Sequence, residues 1–480
     1  MIQLDWRPDT DSAIPVYQQI INTFIQHIQT GDWPIGGQLP SQRQLAEQFH
    51  VNRSTISKAM TTLLSDGVLT TAFGGGTRIA SNSWSTMIQQ PVDWQHYIDS
   101  GEFEANQETI QRINEVETQT KIRLSTGEIG PELFPVDLVQ KAMKQAAAKL
   151  TNLNYLPPMG SQALREAIVS RLANWGIETT AENVLITSGS LQSLQLIAVS
   201  LLAQGATVYT TPASYLKSLR VLQSVHAHFK SLPTDGEGLQ YWHIAAEDRQ
   251  RLLYVIPTFD NPDGEVMSRQ RREDLIQYAQ ERQLPIIEDS AYQDLWLDTR
   301  PPQPLKALDT AGNVLYLGSI SKSLAPGMRI GWIVGPQSII KRLADVKMQT
   351  DYGASSLSQM VLTEVLNDAD YDQYLNRLRQ QLKRRRDHAV TVLKRELSSV
   401  ATWQIPAGGF YIWLTLASKI NVQRLFNVAA QAGVLLNPGS VYGKGAQQNV
   451  RLSYAFADET VFERGIKVVA KLISDQLSAE

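Results

Sequence analysis

GSISKSLAPGMRIGW, residues 318–332, sets a single lysine, Lys322, in a run of serine, glycine and proline, seven positions ahead of Arg329. The run lies between two short apolar stretches, VLYLGS (314–319) and IGWIVG (330–335). Four more stretches of the same kind precede it: NVLIT (183–187), ATVYT (206–210), RLLYVIP (251–257) and LPIIED (284–289). Runs this short and this continuously apolar suit strands buried on both faces of a mainly parallel sheet, with helices between them. Polar residues cluster immediately after the strands: Ser188-Gly189-Ser190, Asn261, Asp289, Tyr292, and Ser319, Ser321 and Lys322. Ligands of open α/β sheets bind at that edge, outside the carboxyl ends of the strands. A lone lysine in a polar loop is ordinarily a solvated amine; its company here is what gives it chemistry.

A lysine that forms a Schiff base must be reachable by a carbonyl and able to lose its proton. A cofactor with an aldehyde, a pyridine nitrogen and a phosphate needs several partners, and the strand ends supply them. Lys322 offers the amine. Asp289 can keep a pyridine nitrogen protonated, which maintains an electron sink. Asn261 and Tyr292 can donate hydrogen bonds to a ring oxygen, and Tyr215, in TPASYLKS, can stack on the ring. TSGSLQSLQLI places Gly189, Ser190 and Leu191 at a helix N-terminus, where backbone N–H groups favour phosphate. Ser319, Ser321 and Arg329 add further donors.

These segments resemble the fold type I aminotransferases, which depend on pyridoxal 5′-phosphate (PLP). NYLPPMGSQALREAI, TSGSLQ, PTFDNPDG, IIEDSAYQDL, SISKSLAPGMRIGW and NVRLSYAF follow the family order over roughly residues 125–475. The resemblance implies that Lys322 carries the Schiff base and Asp289 faces the pyridinium nitrogen. It implies that Asn261 and Tyr292 meet the phenolic oxygen, and that Arg329, Ser319, Ser321 and Ser190 hold the phosphate. Arg451 resembles the arginine that clamps a substrate α-carboxylate. Tyr155 resembles a tyrosine that reaches the phosphate of the neighbouring subunit, which implies a homodimer. Lys217, two residues after Tyr215, reads either as a second cation for an acidic effector group or as a solvated helix lysine.

The first eighty residues read differently. IPVYQQIINTFIQHIQT (14–30) carries Val16, Ile20, Ile21, Phe24, Ile25 and Ile28 at helical spacing, with Pro15 in its first turn. Ser41 followed by Gln44 is a capping-box pattern that starts a second helix, SQRQLAEQF. After the bend HVN, Asn52 is placed to cap a third, RSTISKAMTTLLSDG. Ile56, Ala59, Met60, Leu63 and Leu64 form its buried stripe, and Arg53, Ser54, Ser57, Lys58 and Thr61 its opposite face. VLTTAFGGGTRIAS then reads as a hairpin with a glycine-rich tip and Arg78 beside it. Three helices and a hairpin in this order make a winged helix-turn-helix, whose third helix is placed to read a major groove.

PVYQQI, LPSQRQLAEQF, VNRSTISKAM and DGVL…GGGT resemble the DNA-binding domain of GntR-type bacterial regulators. The resemblance implies contact with double-stranded operator DNA through Arg43, Arg53, Ser54, Thr55 and the wing around Gly75 and Thr77; Lys58 and Arg78 lie on the same reading surface. Many of these regulators have arginine where Ser57 stands, so one strong contact is missing. The bland alternative is a three-helix domain used for protein contact. Residues 41–80 hold four basic and two acidic side chains, and the basic ones fall on the reading surface.

Residues 81–119 are polar and glutamine-rich without sustained periodicity and read as a linker, with Trp84 and Trp94 placed to pin it to the larger domain. The sequence thus divides into a winged helix-turn-helix at 1–80, a linker at 81–119 and an aminotransferase-like domain at 120–480, its small α+β subdomain from about 358. A head, a linker and a body of this kind together resemble the MocR subfamily of GntR regulators. The resemblance implies a homodimeric regulator that binds PLP and senses an amino compound, or PLP itself. A working aminotransferase with a DNA-binding head is the other reading.

Composition sets the remaining bounds. The 480 residues are 43% hydrophobic and 19% charged with a net charge of −3, so any pull on nucleic acid is local rather than global. With no cysteine there is no disulfide or thiolate metal site, and the seven histidines lack ligand spacing, so no metal is expected. No secretory leader is visible at the start, and the longest apolar stretch, SLQLIAVSLLA, is too short to span a bilayer. A cytoplasmic protein is the expectation.

Overall fold

The computed structural model of the chain describes all but residues 1–5, 30–31, 34–35, 73–75, 81–96, 98–103, 247, 249 and 479–480. Two units divide it, Met1–Glu102 and Phe103–Glu480. Gly75, Trp84 and Trp94 lie outside the described residues. Among those described, no helix is long and apolar enough to cross a membrane.

The first unit has three helices, α1 (Val16–Gln29), α2 (Gln42–Phe49) and α3 (Arg53–Ser65), then a hairpin of β1 (Leu69–Ala72) and β2 (Gly76–Ile79). Ser41 starts α2 with a complete capping box: its Oγ accepts from the Gln44 N–H at 3.3 Å, and its own N–H donates to Gln44 Oε1 at 2.9 Å. His50, in the left-handed region at φ 53°, ends α2 and turns the chain toward α3. Asn52 occupies the position before α3, but its side chain makes no capping hydrogen bond, contrary to the sequence expectation. Ile20, Phe24, Leu45, Phe49, Ile56, Ala59, Met60 and Leu63 close one core beneath the three helices, with Leu64 only partly buried at its edge. The hairpin register pairs Leu69 with Ile79 and Ala72 with Gly76. This leaves Ile79 buried against that core.

The second unit opens with α4 (Glu108–Glu117), inside the stretch whose sequence shows no sustained periodicity. The α4 helix buries no residue fully, which is why no clear apolar stripe marks it. The stretch just before it is tied to the body: Arg220 pairs with Glu104 at 2.7 Å, and Gln107 Nε2 donates to the Lys217 carbonyl at 3.0 Å. Next come β3 (Ile122–Arg123), α5 (Val136–Ala148) and α6 (Gln162–Ala173).

A seven-stranded sheet follows. Its strands are β4 (Val184–Thr187), β5 (Thr207–Thr210), β6 (His228–Ser231), β7 (Arg251–Val255), β8 (Ile286–Asp289), β9 (Val314–Ser319) and β10 (Gly331–Val334), in the spatial order β4-β10-β9-β8-β7-β5-β6. All neighbours are parallel except β10, which runs against both β9 and β4. Between the strands lie α7 (Ser190–Leu201) and α8 (Arg269–Arg282). The six expected strands form; the seventh, β6, is an edge strand with all four residues exposed, and so has no apolar run to announce it.

After α9 (Gln337–Met348), α10 (Ser356–Asn367) and the 28-residue α11 (Asp370–Leu397) comes the smaller sheet. It contains β11 (Ala401–Trp403), β12 (Tyr411–Leu416), β14 (Asn437–Pro438) and β15 (Asn449–Ser453), flanked by α12 (Val422–Gln431) and α13 (Glu459–Ser478). The remaining short strand, β13 (Val434–Leu435), pairs in parallel with β3. The C-terminal part of the body therefore includes Ile122 and Arg123 from its start, a non-local pairing that no sequence period marks.

Candidate functional site

The reversal of β10 gathers the loops of the large sheet. Ser319, the last residue of β9, pairs with Gly331, the first of β10, and Gly331 pairs with Thr187, the last of β4. One end of the sheet thus brings together the Lys322 loop, Arg329 and the turn Ser188-Gly189-Ser190. Close approach here demands glycine. A Cβ on Gly331 would stand 2.8 Å from the carbonyl carbon of Gly189. Gly189 itself has φ +93°, and a Cβ there would stand 2.8 Å from Arg329 Nη2. Arg329 Nη2 donates to the Ser188 carbonyl at 3.0 Å. Ser319 and Ser321 are joined through their hydroxyls at 3.0 Å. The N-terminus of the twelve-residue α7 opens at Ser190 and Leu191 beside them. Backbone donors, hydroxyls and a guanidinium converging at a helix start form an anion cradle.

Asp289 ends β8 and is 3% exposed. Its Oδ2 accepts from the Tyr254 hydroxyl at 2.8 Å and its Oδ1 from the Ala291 N–H at 3.3 Å. Burial pushes its carboxyl above the ordinary range, opposed by those two hydrogen bonds and by Lys322. Lys322 Nζ donates to the Gly127 carbonyl at 2.6 Å. Tyr215 sits in a short turn after β5, its N–H donating to the Asn261 carbonyl at 2.9 Å. Its phenol is pushed up to about 12, first by burial and then by Asp289 and Tyr411, with Arg451 and Arg329 acting the other way. Asp289, Tyr215, Lys322, Asn261 and Arg329 therefore share one neighbourhood, as the sequence order implied.

Arg451, in β15, is 5% exposed. Its Nη1 donates to Asn261 Oδ1 at 2.9 Å and its Nη2 to the Ser125 carbonyl at 2.6 Å. The guanidinium lies 3.9 Å from the ring centre of Tyr411 and 5.3 Å from that of Tyr442. Its Nε is buried and has no protein partner. None of the ion pairs among the described residues includes Arg451, although most other buried arginines of the body have a carboxylate partner. A buried cation held by neutral groups, with a donor to spare, has the chemistry to pair with a carboxylate. Tyr292 and Tyr411 share a hydrogen bond between their hydroxyls at 2.9 Å. Burial, and then Tyr411, hold the Tyr292 phenol well above its usual range.

Two expected residues stand apart. Lys217 gives its three donors to the Thr211 carbonyl at 3.0 Å, the Pro212 carbonyl at 2.8 Å and Ser231 Oγ at 2.7 Å. Burial lowers its ammonium to about 8. An acidic effector group would have to displace one of those partners, so the structure does not offer Lys217 as a ready second cation. Tyr155 is 81% exposed, and its ring lies 5.5 Å from that of Tyr352. Other residues of the site were not anticipated: Ser125, Gly127, Tyr254, Tyr411 and Tyr442. Gly127 has a readable reason in hindsight, because a Cβ there would stand 2.6 Å from the Tyr411 hydroxyl and 3.6 Å from Lys322 Nζ.

In the first unit, Arg53, Ser54 and Lys58 project from the exposed face of α3, and Thr55 is partly exposed. The Lys58 ammonium lies 3.8 Å from the ring centre of Tyr17. Arg43, largely exposed, forms an i,i+4 pair with Glu47 at 3.1 Å. Thr77 is partly exposed on β2, while Arg78 is exposed and uses Nη1 to hold the Gly36 carbonyl at 2.8 Å.

Comparison with known proteins agrees with this division. Residues 119–469 match the family "Aminotransferase class I and II", and residues 16–79 match "Bacterial regulatory proteins, gntR family". The chain is 44% identical over 471 residues to the uncharacterized HTH-type transcriptional regulator YisV of Bacillus subtilis (strain 168), covering 97% of each chain. It is 35% identical over 432 residues to the HTH-type transcriptional regulator NorG of Staphylococcus aureus (strain N315), covering 87% of this chain and 95% of that one. Among solved structures, Pyrococcus horikoshii kynurenine aminotransferase superposes with a TM-score of 0.75 at 29% identity, over 80% of this chain and 98% of the other. LysN, the α-aminoadipate aminotransferase of Thermus thermophilus, gives 0.74 at 26%, over 81% and 100%. The chain therefore belongs to the HTH-type regulators of MocR organisation, in which a GntR head is fused to an aminotransferase class I and II body.

Proposed function

We propose that this protein is a DNA-binding transcriptional regulator whose body holds PLP through Lys322 and admits an amino compound bearing a carboxylate. The observation that carries the reading is the placing of a lysine amine and a buried Arg451, which joins no ion pair among the described residues, on one short segment: the Gly127 carbonyl accepts from Lys322 and the Ser125 carbonyl from Arg451.

The residues present fit the cofactor. The anion cradle of Gly189, Ser190, Leu191, Ser319, Ser321 and Arg329 suits its phosphate. The buried carboxylate of Asp289 suits its ring nitrogen, while Asn261 and Tyr292 suit its phenolic oxygen and Tyr215 its ring face. When bound, PLP supplies an aldehyde to which an amine can be joined and a ring that withdraws electrons. The chain does the rest. Asp289 holds a proton at the ring nitrogen, and Tyr254 holds Asp289 in place. Lys322 would hold the cofactor through Nζ, and when free of it would keep a proton there against the Gly127 carbonyl. Arg451 orients the carboxylate, and Tyr411 and Tyr442 shield that ion pair from water. The heads bind operator DNA as a pair, and the effector acts by preferring one arrangement of the dimer.

The complete set of chemical groups also favours a second reading, an aminotransferase with a DNA-binding head. Visible absorption of the purified protein during addition of single amino acids, with operator binding measured in parallel, separates the two. A spectral shift that persists with one amino acid and alters operator affinity supports the regulator. Bleaching that a keto acid restores, turnover after turnover, supports the enzyme. Absence of any band after addition of PLP sinks both.

A further inference from the structure

Behind the Lys322 loop, the body contains a second cavity of about 220 Å³, walled by α6, the loop after β8, the end of β9, β10 and the start of α11. Gln293 lines it and is 3% exposed, yet neither its amide oxygen nor its amide nitrogen has a protein partner. The indole N–H of Trp332, also on the wall, is buried and unpartnered as well. Leaving such groups unpaired is costly, and native interiors avoid it. The position of Trp332 is built into the sheet: it faces Gly318 across the β9–β10 ladder, and a Cβ on Gly318 would stand 2.2 Å from the indole.

The mouth repeats one motif three times. Arg300 lies over Trp175 at 4.2 Å, Arg379 over Trp296 at 4.5 Å and Arg171 over Tyr371 at 5.0 Å, and all six residues line the cavity. Stacking on an aromatic face fixes a guanidinium while its edge can still donate. Arg379 already gives Nε to the Asp294 carbonyl at 2.8 Å and Nη1 to Asn376 Oδ1 at 2.8 Å, and Arg300 gives Nη2 to the Asn174 carbonyl. The edge left for a ligand is therefore Arg379 Nη2 with Arg300 Nε and Nη1. Arg171 is paired with Asp372 at 2.7 Å, whereas neither Arg300 nor Arg379 joins any ion pair among the described residues. Asp294 is the other acid on the wall and already accepts from Trp175 Nε1 at 3.0 Å. Three arginines against two aspartates leave the lining with one positive charge in excess.

We propose that this cavity is a second binding site, for a small aromatic carboxylate. The indoles and phenols offer a flat apolar slot, the arginine edges a place for one negative charge, and Gln293 with Trp332 the hydrogen bonds that fix orientation. The volume fits a single ring with its carboxylate, since about 150 Å³ already admits benzene. Its wall includes Ser319, Ile320 and Ser323, so an occupant touches the loop that carries Lys322 and shares Ser319 with the anion cradle.

The test is tryptophan fluorescence of the full chain titrated with benzoate, and with benzamide as its neutral counterpart. Saturable quenching by benzoate, about tenfold weaker with benzamide and weaker by a similar factor in Gln293→Leu and in the rim variant Arg300→Gln, is the expected result. Arg451→Met should bind benzoate like the parent, which places the ligand outside the first site. No saturation into the millimolar range, equal binding of benzamide, or unchanged binding in both Gln293→Leu and Arg300→Gln would overturn the proposal. The measurement needs no PLP, so its failure leaves the function proposed above untouched.

Discussion

The two units build their surfaces in opposite ways. In the head, the proposed reading surface comes largely from one helix: Arg53, Ser54, Thr55 and Lys58 lie within six consecutive positions of α3, and Arg43 of α2 and the wing add to them from elsewhere. In the body, the site depends on contacts that span most of the chain. Lys322 reaches Gly127 across 195 positions, and Arg451 reaches Ser125 across 326. The helical surface tolerates loss of one side chain, because its neighbours do not depend on it. The body's site is a set of mutual dependencies, in which one group removed leaves another buried without a partner.

Substitutions can break that contrast, beginning with the strongest. Lys322→Ala should abolish the visible band of the bound cofactor and any amine response, while operator affinity without effector stays within about twofold. A retained band would remove the basis for the body's role. Gly331→Ala forces a Cβ against the backbone of Gly189, and should cost about 1–3 kcal/mol in the body's unfolding free energy and weaken the cofactor's hold. An unperturbed denaturation curve would show that the cradle is looser than the geometry implies. Arg451→Met should change the stability of the unliganded body by no more than about 2 kcal/mol in either direction, because removal of a buried charge without a counterion offsets the cost of the Asn261 oxygen and Ser125 carbonyl that it leaves unpaired. It should lose the response to amino acids at the same time, so the two readouts must diverge.

The head should give smaller, local effects. Arg53→Ala should weaken operator binding by about 1–3 kcal/mol and leave the cofactor spectrum unchanged. Unaltered affinity would mean that α3 is not the reading helix. Ser41→Ala removes the capping box and should lower the head's stability by about 1 kcal/mol, read from its own melting transition. The smallest expected effect is one of pH. Glu265 is raised by burial to about 7 and Asp263, beside it, to about 6. Carboxyls whose folded values lie above their unfolded ones bind protons on folding, so their penalty is absent in acid and grows as pH rises through about 5 to 7. Glu265→Gln should therefore gain stability on the order of 1 kcal/mol at pH 8, reduced by solvent screening, and nothing at pH 4. Parallel pH curves for the two proteins would refute this.

What could be read in advance follows the same division. The apolar runs announce the buried strands because their neighbours cover both faces, as in β9, whose six residues are all buried. The capping box of Ser41 and Gln44 is likewise a local signal. Lys322, Asp289 and Asn261 were legible because each sits at the end of such a run or within four residues of it. Tyr254 and Tyr411 were not, since a tyrosine inside an apolar strand reads as core until its hydroxyl is seen to hold Asp289 or Tyr292. The α4 helix and β6 escaped for want of a buried face. Lys217 misled, because spacing from Tyr215 says nothing about the carbonyls its ammonium finds.

The small parallel pair β3–β13 gives the body a mechanical property. Leu124, directly after β3, accepts from the Ser453 N–H at 2.7 Å, and the next carbonyl, that of Ser125, holds Arg451. The segment at the start of the body is thus sewn into the strand that bears Arg451. A ligand that pulls Arg451 by a fraction of an ångström pulls on Ser125 directly, and the covalent chain leading back toward residue 102 begins only a few residues away. The segment that opens the body and the residue proposed to grip a carboxylate are one piece of structure, so strain at Arg451 would be felt at β3 without crossing the large sheet.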